Sequence, residues 1–160
     1  MQSDSPDHFL KLAEKRFQEK DYLACELALE PILAEIPDHA GANELLAYVA
    51  ANTGDMMRFH NLLLKASHRP DCSPKALYYL GSSFLEMGQF EQAILYLERA
   101  LKIAGEFFEA LHDLATAQAQ MGEGQLALQN YTKALHFRKD SFELHYNIAR
   151  LHDELGQLDL

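Results

Sequence analysis

The residues best able to do chemistry in this chain are its histidines, of which there are eight among 160 residues. His145 and His152 lie seven residues apart, with Asp153 directly after the second, and His112 lies earlier in the chain. A zinc site in helical sequence usually places its ligands closer together, for example two histidines four residues apart on one helical face. The spacing therefore predicts surface and inter-helix histidines, and we expect neither a metal site nor a cofactor.

Catalytic motifs are also missing from the sequence. A nucleophile needs a base within reach and a donor that stabilises the oxyanion. The chain contains no Gly-x-Ser-x-Gly elbow, no glycine-rich phosphate loop and no His-Glu-x-x-His motif. Paired carboxylates such as Glu26 and Glu30 are four residues apart, a spacing typical of a solvated helical face. We therefore predict that this chain is not an enzyme.

The charge balance disfavours nucleic acid as a partner. Asp and Glu number 24 against 14 Lys and Arg, which gives a formal net charge of −10, whereas phosphate binding requires clustered basic residues. No apolar segment approaches the length of about 20 residues that spans a membrane. The N-terminal residues MQSDSPDHF lack the basic and apolar regions of a signal peptide. We expect a cytoplasmic protein without membrane insertion.

The glycines give the first sign of internal repetition. Gly54, Gly88, Gly122 and Gly156 are each separated by 34 residues, and each follows a segment with helical apolar periodicity. A glycine just past a helix end can adopt a positive φ and close the helix. Four such stops in one register predict repeated units, each built of two helices.

Other positions follow the same register. In the first helix of each unit a large aliphatic residue precedes a small one, at Leu12-Ala13, Leu46-Ala47, Leu80-Gly81, Leu114-Ala115 and Ile148-Ala149. In the second helix a bulky residue recurs at Leu29, Leu63, Leu97 and Tyr131. The position four residues earlier is held by Cys25, Phe59, Ala93 and Ala127. Small residues let two helices approach closely, so these positions predict the core.

This pattern resembles the tetratricopeptide repeat family. The segment LYYLGSSFLEMGQFEQAILYLERAL carries the match, at Leu80, Gly81, Phe84, Gly88, Phe90, Ala93, Leu97, Ala100 and Leu101. The resemblance implies an all-α fold, a right-handed superhelical α-solenoid of stacked antiparallel helix pairs with four units plus a half unit. The expected organisation is a disordered N-terminus at 1–5, repeats at 6–39, 40–73, 74–107 and 108–141, and a partial repeat at 142–160.

Helix boundaries follow from the punctuating residues. The expected helices are 6–19, 22–36, 40–53, 55–68, 73–87, 90–103, 107–121, 124–137 and 141–155, without strands. Ser5 and Ser73 each precede a proline, which predicts an N-cap followed by proline at the first helical position. Asp140 with Glu143 predicts a capping box. Lys20 stands where the later repeats have glycine.

The C-terminal end of the array is unusual. Gly156 is followed by Gln157-Leu158-Asp159-Leu160, which resembles the start of a further helix, whereas stacked arrays normally finish with a polar cap. Without a partner, the helix expected at 141–155 would expose Leu144, Ile148 and Leu151. We therefore expect an N-terminal piece of a longer protein, and self-association through the uncapped end is an alternative.

The family resemblance also implies a concave groove, lined by the first helix of each repeat, that binds a peptide or protein segment. Tyrosine side chains are typical of recognition surfaces because they offer a large area and a polar tip. The groove positions of the family correspond here to Glu44, Tyr48, Asn52, Lys75, Tyr78, Tyr79, Ser82, Glu86, His112, Asp113, Thr116, Gln120, Glu143, Tyr146, Asn147, Arg150 and Glu154.

Two functions are compatible with this groove. The first is a non-catalytic scaffold that binds a peptide or protein segment. The second comes from YNIARLHDELGQLDL, which resembles the repeats before the catalytic region of O-linked N-acetylglucosamine transferases and their Spindly-like bacterial relatives. In those repeats asparagine recurs at the sixth position, which Asn147 occupies here, and this implies a substrate-selecting domain of a larger glycosyltransferase.

Overall fold

The computed structural model describes residues 5–156, and within that range it contains nine α-helices and no β-strand. Each helix lies within one residue of its expected bounds at both ends, so the prediction of an all-α chain of helix pairs is confirmed. None of these helices is long and apolar enough to cross a membrane. The helices are α1 (Pro6–Gln18), α2 (Tyr22–Glu35), α3 (Ala40–Thr53), α4 (Met56–Ser67), α5 (Pro74–Glu86), α6 (Phe90–Ala104), α7 (Phe108–Gln120), α8 (Gly124–Phe137) and α9 (Phe142–Glu154).

The helices group into two compact units. The N-terminal unit ends at Ala76 and the C-terminal unit begins at Leu77, inside α5. In the N-terminal unit α1 packs against α2 and α3 against α4, and α3 also contacts α1 and α2. In the C-terminal unit α6 contacts α7, α7 packs against α8, and α8 contacts α9. The repeat boundaries expected from the sequence stay a prediction, and the expected disorder at 1–5 falls mostly outside the described residues.

Most of the predicted small and bulky positions lie in the core. All four bulky residues of the second helices are buried, as are all four residues that precede them in register. Among the latter, Cys25 is enclosed to the point that burial raises the pKa of its thiol to about 11. Two expectations fail at the ends of the chain. Leu12 is 36% exposed, and Ala149 is exposed because no second helix covers it within the described residues.

The turn inside each helix pair reverses the chain through one residue with positive φ. Gly54, Gly88 and Gly122 have φ values of 81°, 71° and 78°. Each donates its N–H to the carbonyl three residues back, and the next residue donates to the carbonyl five residues back. These paired bonds satisfy helix carbonyls that would otherwise lack a partner. Repeat one makes the same turn with Lys20 at φ 59°, the only non-glycine residue with positive φ in the described range.

Lys20→Gly should stabilise the chain. A residue with a Cβ is strained in the left-handed region, and glycine removes this strain. Part of the gain in stability is offset because glycine increases the conformational entropy of the unfolded chain. We expect the free energy of unfolding to rise by about 0.5–1 kcal/mol, measured by urea unfolding followed by circular dichroism. Lys11→Gly, on exposed helix α1, is the control and should lower it by a similar amount. Equal destabilisation by both variants would contradict the strain at Lys20.

Helices α5 and α6 approach each other closely at Gly81. A Cβ placed on Gly81 would lie 2.7 Å from Cγ of Leu97 and 3.1 Å from its backbone nitrogen. Phe84 stacks on Tyr96 one turn further along the same pair of helices, with ring centroids 5.4 Å apart. The glycine therefore sets the separation of these two helices.

Gly81→Ala should destabilise the chain although alanine occupies the equivalent position in other repeats. Overpacking of this kind costs about 1–3 kcal/mol. A double-mutant cycle with Leu97→Ala isolates the cause, because the smaller side chain makes room for the added methyl group. We expect the double variant to unfold with a cost smaller than the sum of the single changes. Additive costs would show that the methyl group meets something other than Leu97.

Helix N-caps confirm one expectation and correct another. The hydroxyl of Ser73 accepts a hydrogen bond from the N–H of Ala76, 3.1 Å away, as predicted. Ser5 stands at the N-cap of α1 with Pro6 following, but its side chain makes no capping bond. The capping box at Asp140 is wrong. Ser141 is the N-cap of α9 and accepts from the N–H of Leu144 at 3.3 Å.

The apolar residues expected to be uncovered on α9 are largely covered. Leu144 and Leu151 are buried in a cluster with Leu111 and Tyr131, and Ile148 packs against that cluster. The expectation failed because α9 turns these side chains toward α7 and α8 of the preceding pair. Different side chains are uncovered, and the most exposed of them is Phe142, at 83%.

Candidate functional site

In the N-terminal unit the expected groove residues Tyr48, Asn52 and Lys75 form a small cluster. The ammonium group of Lys75 lies 5.4 Å from the ring centroid of half-buried Tyr48, within the range of a cation–π contact. The side-chain amide of Asn52 is exposed and donates to the backbone carbonyl of Tyr48, 2.8 Å away. Tyr48 is thus contacted by Asn52 of its own helix and by Lys75 of the first turn of α5.

Glu44, a further groove position, has a structural partner that the sequence did not indicate. One carboxylate oxygen accepts from the N–H of Ser73 at 2.7 Å, and the other accepts from the Ser73 hydroxyl at 2.6 Å. The same hydroxyl caps α5 through Ala76. Glu44 therefore links α3 to the start of α5, and both of its carboxylate oxygens are engaged in these hydrogen bonds.

Glu44→Ala should destabilise the N-terminal unit. Hydrogen bonds to a charged group contribute about 1.5–3 kcal/mol, and this change removes two and leaves the N–H of Ser73 without its acceptor. Urea unfolding would measure the loss. Glu30→Ala, which removes an exposed carboxylate from α2, is the control and should change stability by about 0.5 kcal/mol or less. A cost no larger than that of the control would show that Glu44 does not brace α5.

In the C-terminal unit the first of the expected groove residues are two tyrosines on α5, which belong to an aromatic group. The ring of Tyr78 lies 5.2 Å from that of Tyr79 and 5.6 Å from Phe107, the latter edge to face. Burial raises the pKa of Tyr78 to about 12, with smaller contributions from Asp113 and Glu109, and a hydrogen bond with Ser82 opposes them. The electrostatic potential at Tyr78 is thus made negative by the two carboxylates. Glu86, also predicted for the groove, is exposed one turn beyond this group.

His112 on α7 lies between two carboxylates. Its Nδ1 is 3.3 Å from Oδ1 of Asp113 on the same helix, and its Nε2 is 3.3 Å from Oε1 of Glu143 on α9. The hydrogen bond with Asp113 raises the pKa of His112, burial lowers it, and the charge of Glu143 adds to the rise, so that the pKa lies above 6.5. Three expected groove residues from two helices are therefore brought together here.

Tyr131 of α8 packs against His112. Its hydroxyl lies 2.9 Å from Oγ1 of Thr116, which also donates to the carbonyl of His112 at 2.9 Å. The rings of Tyr131 and His112 meet edge to face with centroids 5.8 Å apart. Burial raises the pKa of Tyr131. The sequence analysis placed Tyr131 only among the bulky core positions. The other repeats have leucine at this position, so the hydroxyl of Tyr131 was the signal that could have indicated a polar role.

The far edge of this surface is formed by α9. Arg150 pairs with Glu154 one turn later at 2.5 Å, so two further predicted residues neutralise each other. Tyr146 is 59% exposed and its ring stacks beside that of Phe142 with centroids 6.5 Å apart. Phe142 was absent from the predicted groove because it occupies the first position of the helix, which the family pattern does not assign to the groove.

Asn147 and Gln120 complete the predicted set. Asn147 is half-buried beside Tyr146, and its side-chain amide makes no hydrogen bond with another residue between 5 and 156. Gln120 is exposed at the end of α7, away from the His112 group.

The side chains of this surface are suited to non-covalent contacts. Within the described residues no group of three or more metal-ligating side chains is close enough to hold an ion. Thr116, the hydroxyl nearest His112, is bonded to a backbone carbonyl and to Tyr131, so no histidine nitrogen faces it as a base. Exposed aromatic rings, an unbonded amide and a polar group of mixed charge suit non-covalent contacts.

Comparison with known proteins supports the repeat architecture. Residues 74–107 match the tetratricopeptide repeat family model, and no curated protein matches the sequence. The solved structure of MamA is 20% identical, with 95% of this chain and 83% of that chain covered and a TM-score of 0.75. YrrB, described as a TPR protein with an unusual peptide-binding site, is 15% identical, with 97% and 80% covered and a TM-score of 0.83. One repeat, residues 74–107, therefore matches the tetratricopeptide repeat family in sequence, and nearly the whole chain shares the fold of a solved TPR protein.

Proposed function

We propose that this chain is a non-catalytic interaction scaffold, and that the α7–α9 face of its C-terminal unit binds a peptide or protein segment. The observation that carries the proposal is the neighbourhood of Tyr146, Asn147 and Phe142 on α9. Two exposed aromatic rings are stacked there beside a half-buried amide that makes no hydrogen bond within the described residues.

Such a combination suits an extended peptide. An asparagine amide can both donate to and accept from a peptide backbone, and rigid aromatic side chains offer contact area at a low entropic cost. The polar group around His112 is next to this amide, since Glu143 contacts His112 and lies one helical turn before Asn147 on α9. The peptide-binding site described for YrrB shows that the fold can bear such a function.

Other parts of the proposal rest on the sequence. The net charge of −10 favours neutral or basic segments over nucleic acid as partners. The absence of catalytic activity and a cytoplasmic location stay predictions, as does the groove role of Tyr48, Asn52 and Lys75 in the N-terminal unit.

Two alternatives are kept. Asn147 is the residue on which the resemblance to the glycosyltransferase repeats depends, so a substrate-selecting domain of a larger enzyme would use the same amide. Self-association is favoured by the exposure of Phe142, at 83%, and it would appear as a rise in molecular mass across a concentration series in light scattering.

A peptide-display selection on the immobilised chain tests the proposal. Selected peptides would be measured by fluorescence anisotropy against the wild type, a Tyr146→Ala/Asn147→Ala variant and a Leu95→Ala/Gln129→Ala variant. The second pair removes an exposed apolar and an exposed amide side chain from α6 and α8, so it matches the first in chemistry. We expect the α9 variant to lose about tenfold or more in affinity, as for central interface residues, and the control to bind as the wild type does.

Equal affinity for all three proteins would contradict the assignment of the α9 face. A loss confined to the Leu95→Ala/Gln129→Ala variant would move the binding surface to the second helices. A selection that enriches no peptide at all would contradict peptide recognition by this chain.

A further inference from the structure

The arrangement around His112 allows two ion pairs only when the ring is protonated. A neutral imidazole donates from one nitrogen and accepts at the other, whereas the imidazolium donates from both. Here both nitrogens face carboxylates, Asp113 on one side and Glu143 on the other, at 3.3 Å each. In the neutral ring one nitrogen lone pair must face a carboxylate oxygen, which is repulsive.

The two contacts differ in kind. Asp113 is adjacent in sequence and forms a hydrogen bond with Nδ1, so it is fixed beside the ring by α7 itself. Nε2 is buried, and its contact with Glu143 lacks hydrogen-bond alignment. The attachment of Glu143 therefore depends on the charge of the ring. Glu143 has no other ion pair within residues 5–156, and its side chain is 70% exposed, so it is free to leave.

The other groups that face His112 are already engaged. From α8, the Tyr131 hydroxyl bonds to Thr116. From α9, Arg150 is paired with Glu154. Phe108 covers one face of the ring, with centroids 5.9 Å apart. None of them offers a second partner to Glu143 or a replacement charge for His112.

We propose that His112 is a proton-operated clamp that fixes the first turn of α9 to α7. When the ring is charged, Glu143 is held over Nε2, and the turn that carries Phe142 is fixed. When the ring loses its proton, Glu143 is released and this turn is attached to α7 by apolar contacts alone. If the face binds peptides as proposed above, its aromatic edge is rigid at low pH and mobile at high pH; this consequence rests on the proposed function, whereas the clamp does not.

The direction of the pH dependence follows from the balance of charges at the ring. The folded state binds the proton more tightly than the unfolded chain, because the pKa of His112 is raised above 6.5. The contribution of the clamp to stability is therefore complete below pH 6.5 and is lost as pH rises through the folded pKa. Between those limits the unfolded chain binds fewer protons than the folded one.

The test uses the free chain and two readouts. NMR titration of the imidazole carbon-bound protons gives the pKa of His112, and hydrogen exchange gives protection factors for amides in α9. Three variants are compared with the wild type. Glu143→Gln removes the distant carboxylate and Asp113→Asn removes the adjacent one. The matched control is His152→Gln, which removes a histidine of the last turn of α9 that makes no hydrogen bond within residues 5–156.

We expect Glu143→Gln to lower the pKa of His112, and Asp113→Asn to lower it further. In Glu143→Gln the protection of the first α9 amides should fall by about two- to fivefold below the pKa, as for a partly exposed ion pair, and match the wild type above it. His152→Gln should change neither quantity.

Two results would overturn the clamp. One is a pKa of His112 that is the same in Glu143→Gln and the wild type. The other is a loss of α9 protection that is equal at all pH values, which would indicate a structural effect of the substitution. Because no peptide enters this experiment, its failure leaves the proposed peptide binding standing, and the failure of the peptide selection leaves the clamp standing.

Discussion

The fold depends on the left-handed turn that joins the two helices of a pair. At Lys20, Gly54, Gly88 and Gly122 a single residue with positive φ closes one helix and starts the next within three residues. The short turn holds the helices side by side, so that a small residue on the first helix meets a bulky residue on the second. The contact of Gly81 with Leu97 is an example. A longer or slack turn would shift these positions out of register and open the core.

Most of the fold could be predicted from the sequence because local signals and the core pattern agree. Glycine and proline mark helix ends, and the 34-residue period repeats the same small and bulky positions, so the helix bounds are accurate to one residue. The failures occur where a neighbour in space decides. Ser141 replaces Asp140 as the cap of α9, and Leu144 is covered by a helix pair earlier in the chain. Leu12 lies on α1, which has no preceding helix pair to cover it within the described residues.

The residues of the candidate site can be selected from the sequence, but the partners of their side chains cannot. The family pattern selects residues on one face of each first helix, and that face does carry the polar group around His112. It does not indicate that the carboxylate of Glu44 is occupied by Ser73 or that Arg150 is neutralised by Glu154. Such pairings depend on distances between helices, which a repeat pattern does not contain. Within residues 5–156 the amide of Asn147 makes no hydrogen bond, and with the rings beside it this amide forms a smaller surface than the predicted groove.

The burial of the thiols has a consequence for covalent chemistry. The chain has two cysteines, and both are buried thiols of the N-terminal unit that form no disulfide. The thiolate is the form that reacts with alkylating agents and oxidants, and the thiol of Cys25 stays protonated until about pH 11 while it is enclosed. Each opening of that unit exposes an ordinary thiol, whereas opening of the C-terminal unit exposes none. Alkylation of the thiols therefore reports the opening of the N-terminal unit. It does not report the opening of the C-terminal unit, which contains no cysteine.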